Sequence, residues 1–138
     1  MERARWVLML GAAGAVACAP TGDRPEQKLM QEGRTYTAWL YGSEYNKLWD
    51  RFSPEMRQTF GSVADLASFA SRAVKNLGTE QGKVDEQVNA ADPYTVYSRS
   101  ASFNKSRHRM LIEWSLAKDG AVTGLVVRPV VSDSAPSP

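Results

Sequence analysis

One cysteine and one histidine in 138 residues leave little room for several familiar chemistries. A single thiol excludes an internal disulfide, and Cys18 with His108 cannot make up a zinc site of those ligand types. The sequence also lacks a nucleophile elbow, a phosphate-binding loop and a metal motif, so no cofactor or metal is expected. Excess charge of one sign is missing too, with 17 Lys and Arg against 15 Asp and Glu. Without residues 1–17, which hold Arg3, Arg5 and Glu2, the balance is 15 to 14. Nucleic acid is therefore not expected as a partner, because phosphate binding needs concentrated cations. Lys105, Arg107 and Arg109 are too few for a basic stripe and read as a solvated turn. There are no internal repeats, and 43% hydrophobic with 23% charged residues suits one globular domain.

The N-terminus is more specific. Arg3 and Arg5 precede an uncharged run from Trp6 to Ala17 that ends in small residues. A spanning helix needs about 20 apolar residues, so this run is short for an anchor and has the length of a signal-peptide core. The run stops at Ala15-Val16-Ala17-Cys18, which resembles a bacterial lipobox with Ala15 where Leu is usual. Ordinary signal-peptidase cleavage after Ala17 is the competing reading. Acylation removes a lone thiol that an oxidising compartment would leave exposed to reaction. Each buried methylene adds about 0.8 kcal/mol, so several palmitate-like chains on Cys18 would anchor firmly. Ala19 stands where an Asp would retain the lipoprotein in an inner membrane. The expected location is the outer membrane of a bacterial envelope, facing the periplasm.

The expected organisation is a signal peptide over residues 1–17, a lipidated tether over 18–24, a domain over 25–131 and a disordered Ser/Pro tail over 132–138. Asp23 and Glu26 form a capping-box pattern that starts a helix over residues 25–41. Leu29, Gly33, Tyr36 and Leu40 share its inner stripe, widened by Met30 and Thr37. A glycine there costs about 1 kcal/mol relative to alanine, so Gly33 marks a close crossing by a neighbour. Gly42 stops this helix and Ser43 caps a second over residues 44–52, with Tyr45, Leu48, Trp49 and Phe52 on one face. Ser53-Pro54 starts a third helix ending at Phe60. Ser62 and Asp65 cap a fourth that reaches Leu77, with Val63, Leu66, Ala70, Ala73 or Val74, and Leu77 inward.

After Gly82 the hydrophobic period changes from 3.6 to 2. Strands are expected over residues 83–89, 94–103, 107–117 and 122–131, with a turn over 90–93 and a hairpin at Asp119-Gly120. Tyr97, Arg99, Ala101 and Phe103 share one face of the second strand. His108, Met110, Ile112, Trp114 and Leu116 share one face of the third. Helices followed by an antiparallel meander make an α+β domain, with N-terminal helices packed on a curved four-stranded sheet.

The segments Trp39-Leu40-Tyr41-Gly42-Ser43-Glu44-Tyr45-Asn46-Lys47-Leu48-Trp49 and Phe52-Ser53-Pro54-Glu55-Met56 read as two helices closed by a Phe-Ser-Pro cap. The segment Asp119-Gly120-Ala121-Val122-Thr123-Gly124-Leu125-Val126-Val127-Arg128-Pro129 reads as a last strand closed by Arg-Pro. On these residues the chain resembles the nuclear transport factor 2-like superfamily, and more closely the small domain of unknown function that precedes bacterial serine hydrolase domains. The resemblance covers residues 26–129 and implies a cone of curved sheet around helices. It implies no single activity, because such folds host enzymes, binders and scaffolds. The sequence runs from Pro129 into a Ser/Pro tail, so the hydrolase activity does not carry over.

The candidate pocket is aromatic. Tyr36, Tyr45, Trp49, Tyr97 and Trp114, with His108, either line a cavity for an apolar ligand or make up plain core. His108, the one histidine, is the acid–base candidate by residue type, and it either faces the cone interior or stands at its rim. Asp50 and Glu55 lie near Arg51 and Arg57, and the resemblance to ketosteroid isomerase-type enzymes suggests a carboxylate with a Tyr36, Tyr41 or Tyr45 donor. No position matches such a motif residue by residue, and solvated charges at helix ends are the favoured reading. Ser98, Ser100 and Ser102 alternate as a hydroxyl ladder or a solvated face. No catalytic residue is assigned. The expected function is a non-enzymatic envelope lipoprotein that binds a small apolar molecule, a peptide or an envelope protein. A small acid–base enzyme and a dimerisation module, the chain then being a homodimer, are the alternatives.

Overall fold

The computed structural model describes residues 24–130. The expected signal peptide, Cys18, most of the tether and the C-terminal tail lie outside them. Helix α1 (Arg24–Tyr41) buries Gly33, Tyr36, Thr37 and Leu40, and Leu29 and Met30 pack against the same core. Its expected cap, Asp23, also lies outside the described residues.

The turn into α2 (Tyr45–Arg51) differs from expectation. Ser43 itself takes the left-handed conformation, with φ 61°, and the position before α2 is Glu44, without a side-chain cap. A cap side chain needs an extended backbone, and Ser43 is spent on the reversal that returns the Glu44 N–H to the Trp39 carbonyl. The next two starts form as read. Ser53 Oγ accepts from the Met56 N–H at 3.2 Å ahead of α3 (Pro54–Phe60). Ser62 Oγ accepts from the Asp65 N–H at 3.1 Å ahead of α4 (Val63–Ala73). α4 stops four residues short of Leu77. Val74 leaves the helix, a 3₁₀ turn covers Lys75–Leu77, and the Leu77 carbonyl accepts from Lys105 N–H instead of a helical partner.

Four strands follow in the order β1 (Glu80–Ala91), β2 (Tyr94–Phe103), β3 (Met110–Leu116) and β4 (Val122–Pro129), each antiparallel to the next. β1 is longer than expected because β2 pairs with it from Phe103 back to Tyr94, with one irregularity between Gln81 and Asp85. The ladder runs to Ala91 opposite Tyr94, leaving Asp92 and Pro93 as the turn. β3 is shorter than residues 107–117. Ser106 bonds both the N–H and the carbonyl of His108, which holds Arg107 and His108 in the connection ahead of the strand.

The inner sheet face carries Tyr97, Ala101, Phe103, Met110, Ile112, Trp114, Leu116 and Val122, all buried under the helices. Among the described residues both edges stay open along most of their length, and the sheet is not closed into a barrel. Phe52 bridges the start of β4, where the Ser53 N–H donates to the Val122 carbonyl at 2.9 Å. No helix among the described residues is long and apolar enough to cross a membrane.

Candidate functional site

α1 runs opposite to β1 across the inner face. Tyr41 meets Glu80, Arg34 meets Glu86, and the first turns of α1 lie beside Val88 and Asn89. The glycine at position 33 permits this approach, because Tyr97 of β2 packs directly on it. Close packing there brings two arginines and two glutamates together under the helix.

Arg99 grips Glu80 with two hydrogen bonds, Nε to Oε1 at 2.9 Å and Nη2 to Oε2 at 2.6 Å. Its Nη1 stands 3.5 Å from Glu86 Oε1. Glu86 Oε2 accepts from Arg34 Nε at 2.8 Å and from the Tyr97 hydroxyl at 2.7 Å, and the Tyr41 hydroxyl donates to Glu80 Oε1 at 2.8 Å. The side chains of Glu80, Glu86 and Arg99 are each 18% exposed, so their charges are balanced in a half-dry setting. Hydrogen bonds from Arg99 hold the Glu80 carboxyl below its ordinary range against the opposing effect of burial. Burial pushes Glu86 up, but its bonds from Arg34 and Tyr97 and the charges of both arginines outweigh this and hold it low. Burial and the bond to Glu86 push the Tyr97 hydroxyl up to about 12, and burial with the bond to Glu80 raises Tyr41. Each group is fixed in the protonation state it has near neutrality.

The pH dependence of stability follows from these directions. Carboxyls whose folded pKa is depressed stabilise the fold fully above their unfolded value, about 4.3 for glutamate, and less as pH falls through the folded value. Urea midpoints should therefore hold steady from neutrality to about pH 5 and fall below about pH 4.3. A Glu80→Gln Glu86→Gln double variant should be less stable at neutrality and show a flatter acid limb. Equal acid limbs for the two proteins would contradict the network.

Beside the network lies an open groove of about 940 Å³. Glu26, Gln27, Lys28, Met30, Gln31 and Arg34 of α1 form one wall, and residues 86–89 of β1 form the other. Those four strand residues are consecutive, so side chains from both faces of β1 border the groove. It follows the free edge of the strand. The helical wall spans about 12 Å and the strand wall about 10 Å, lengths that match one short extended segment. A second depression of about 410 Å³ is bordered by Lys28, Gln31, Glu32, Thr35, Tyr36, Trp39 and Arg51. There the Tyr36 hydroxyl donates to the Gly120 carbonyl at 2.6 Å and accepts from Arg51 Nε at 3.0 Å.

The six expected pocket residues do not converge on either depression. Tyr36, Tyr97 and Trp114 are packed core, at 2%, 0% and 0% exposure, and only Tyr36 borders a depression. Tyr45 and Trp49 lie half-buried on α2. His108 is exposed in the β2–β3 connection, because β3 begins two residues after it. Asp50 and Glu55 are exposed, and Arg57 donates to the carbonyls of Trp49 and Asp50 rather than to a carboxylate. Of the three tyrosines named as donors, Tyr41 does meet a carboxylate, but it is Glu80. The serine row is occupied, with Ser98 donating to Glu113 at 3.2 Å and Arg109 reaching over Ser100 and Ser102 to Asp85 at 3.0 Å.

Neither Glu80 nor Glu86 was among the candidate residues read from the sequence, where the carboxylates considered were Asp50 and Glu55. A signal for Glu86 was present: it alternates with Val84 and Val88, the inward positions of a strand. No protein-family model matches this chain, and no curated protein or solved structure matches it.

Proposed function

We propose that the chain is a non-enzymatic lipoprotein of the bacterial cell envelope whose α+β domain binds a peptide or another envelope protein along the α1–β1 groove. The helices-then-meander order is compatible with an open member of the nuclear transport factor 2-like superfamily. The groove carries the binding reading. It exposes the free edge of β1 and borders it with the amides of Gln27, Gln31, Gln87 and Asn89. A strand edge offers unpaired backbone N–H and carbonyl groups, and amide side chains can bond the backbone of an added segment. An apolar small molecule is less well served, since the rings that would hold it pack against one another: Tyr36 and Trp114 lie 5.7 Å apart. The ketosteroid isomerase-like alternative needs a carboxylate poised near the working pH. Glu80 and Glu86 are instead tied to arginines and held low, which weighs against it.

A photo-crosslinking residue at Gln27, on the helical wall, tests the groove in living cells, with the same residue at Val126 on the opposite edge strand as control. The expected result is a discrete adduct of constant mass from position 27 and none from 126. Adducts from 126 alone, or from neither, would overturn the groove as the binding surface.

A further inference from the structure

We propose that the tip of the β1–β2 hairpin rests on the membrane surface, with Tyr94 as its contact residue. This rests on the reading of Cys18 as the acylated residue. Arg24 lies six positions after Cys18, and an extended chain covers at most about 3.6 Å per residue, so α1 begins within roughly 20 Å of the acylated residue. Because α1 runs opposite to β1, its first turns are level with the far end of β1, where Ala91 pairs with Tyr94. The anchor and the hairpin tip are therefore at the same end of the domain. Its opposite end, the β2–β3 connection with Lys105 and His108, is about 30 Å away along β2.

The tip has the composition of an interfacial contact. Tyr94 is 45% exposed, and Ala90, Ala91 and Pro93 beside it are exposed and uncharged, with Asp92 the one charged residue of the turn. The other large exposed apolar residues among those described, Val126 and Val130, lie on or just beyond the opposite edge strand. Tyrosine suits the headgroup layer, with an apolar ring and a hydroxyl that stays hydrated. Lys28, Arg51 and Lys118 are offset at this end by Glu26, Glu32, Asp92 and Asp119, so attraction to anionic lipid is not the source of contact. Apolar contact held by the tether is. A domain seated this way carries the groove wall at Gln27 and Asn89 just above the bilayer, where an occupant must itself run close to the membrane.

The test uses the acylated protein purified from membranes, with the mass of its N-terminal Cys18 peptide measured first. Acylation consumes the native thiol, so Asp92→Cys or Lys105→Cys supplies the one free thiol for an environment-sensitive dye. Each protein is placed in phosphatidylethanolamine–phosphatidylglycerol vesicles carrying a headgroup spin label. Quenching at position 92 should exceed that at 105 by at least about threefold, since roughly 30 Å of strand separates them. The dye at 92 should also shift to the blue, and Tyr94→Ser should abolish that shift. With Cys18 acylated, equal quenching at both positions, or a blue shift indifferent to Tyr94→Ser, overturns the proposal alone. An unacylated Cys18 overturns the lipoprotein reading and the proposal with it.

Discussion

Replacing Gly33 by alanine should destabilise the domain by about 2 kcal/mol or more, although alanine is the better helix former by about 1 kcal/mol. A methyl group at position 33 would stand well inside the van der Waals contact distance of three carbons of the Tyr97 ring. That ring cannot swing away. It is fully buried, its hydroxyl is held 2.7 Å from Glu86, and its neighbour across the ladder is Trp114. Relief must come from α1 lifting off the sheet, which would stretch the Arg34–Glu86 bond and open the groove. Overpacking a filled core commonly costs 1–3 kcal/mol, roughly, and here the loss should exceed the propensity gain. Urea denaturation of Gly33→Ala checks this. A midpoint equal to or above that of the natural protein would mean that the helix has room to spare over β2.

The larger loss is expected at Trp114. Its side chain is 0% exposed, packs 5.7 Å from the Tyr36 ring and donates from Nε1 to Thr37 Oγ1 at 3.0 Å. Trp114→Ala removes that volume and leaves a cavity that the two-layer packing can only partly close. Such truncations cost about 3–5 kcal/mol, against a total of about 5–15 kcal/mol for a natural domain. Thr37 keeps one partner, because its hydroxyl also donates to the Gly33 carbonyl at 2.8 Å. Trp114→Phe should therefore fall between the natural protein and Trp114→Ala. Trp49→Ala should cost less than Trp114→Ala, since Trp49 is only half-buried on α2. Thermal denaturation followed by circular dichroism orders the four proteins. A Trp114→Ala midpoint within error of the natural one would refute the assignment of this ring to the core.

Two classes of residue separate what could be read ahead from what could not. The helical stripe of Gly33, Tyr36, Thr37 and Leu40, and the alternation of Met110, Ile112, Trp114 and Leu116, are local periodicities that face the core as they imply. The caps at Ser53 and Ser62 are equally local, since each spans three residues. His108 looked like part of the same alternation, yet a strand begins only where its neighbour supplies a ladder, and Ala101 pairs with Met110 as the last rung. Alternation therefore overstated β3 by three residues at its start and one at its end. The aromatic residues could be counted but not located around a cavity, because buried rings and pocket-lining rings share one pattern.

The order of elements, four helices and then an antiparallel meander, was determined by the sequence itself through periodicity, caps and turns, all set by residues within a few positions of one another. So was the reading of Gly33 as a point of close approach, although not the identity of Tyr97 as the neighbour. Tertiary structure alone decided that Arg34, Glu80, Glu86 and Arg99, from three elements, meet beneath α1. It also decided that the open concavity follows the edge of β1 instead of lying among the aromatic rings. Register makes the difference. A carboxylate is costly to bury alone and acceptable beside an arginine, and which arginine stands beside it depends on how strands and helix are aligned over 13 to 52 positions of chain.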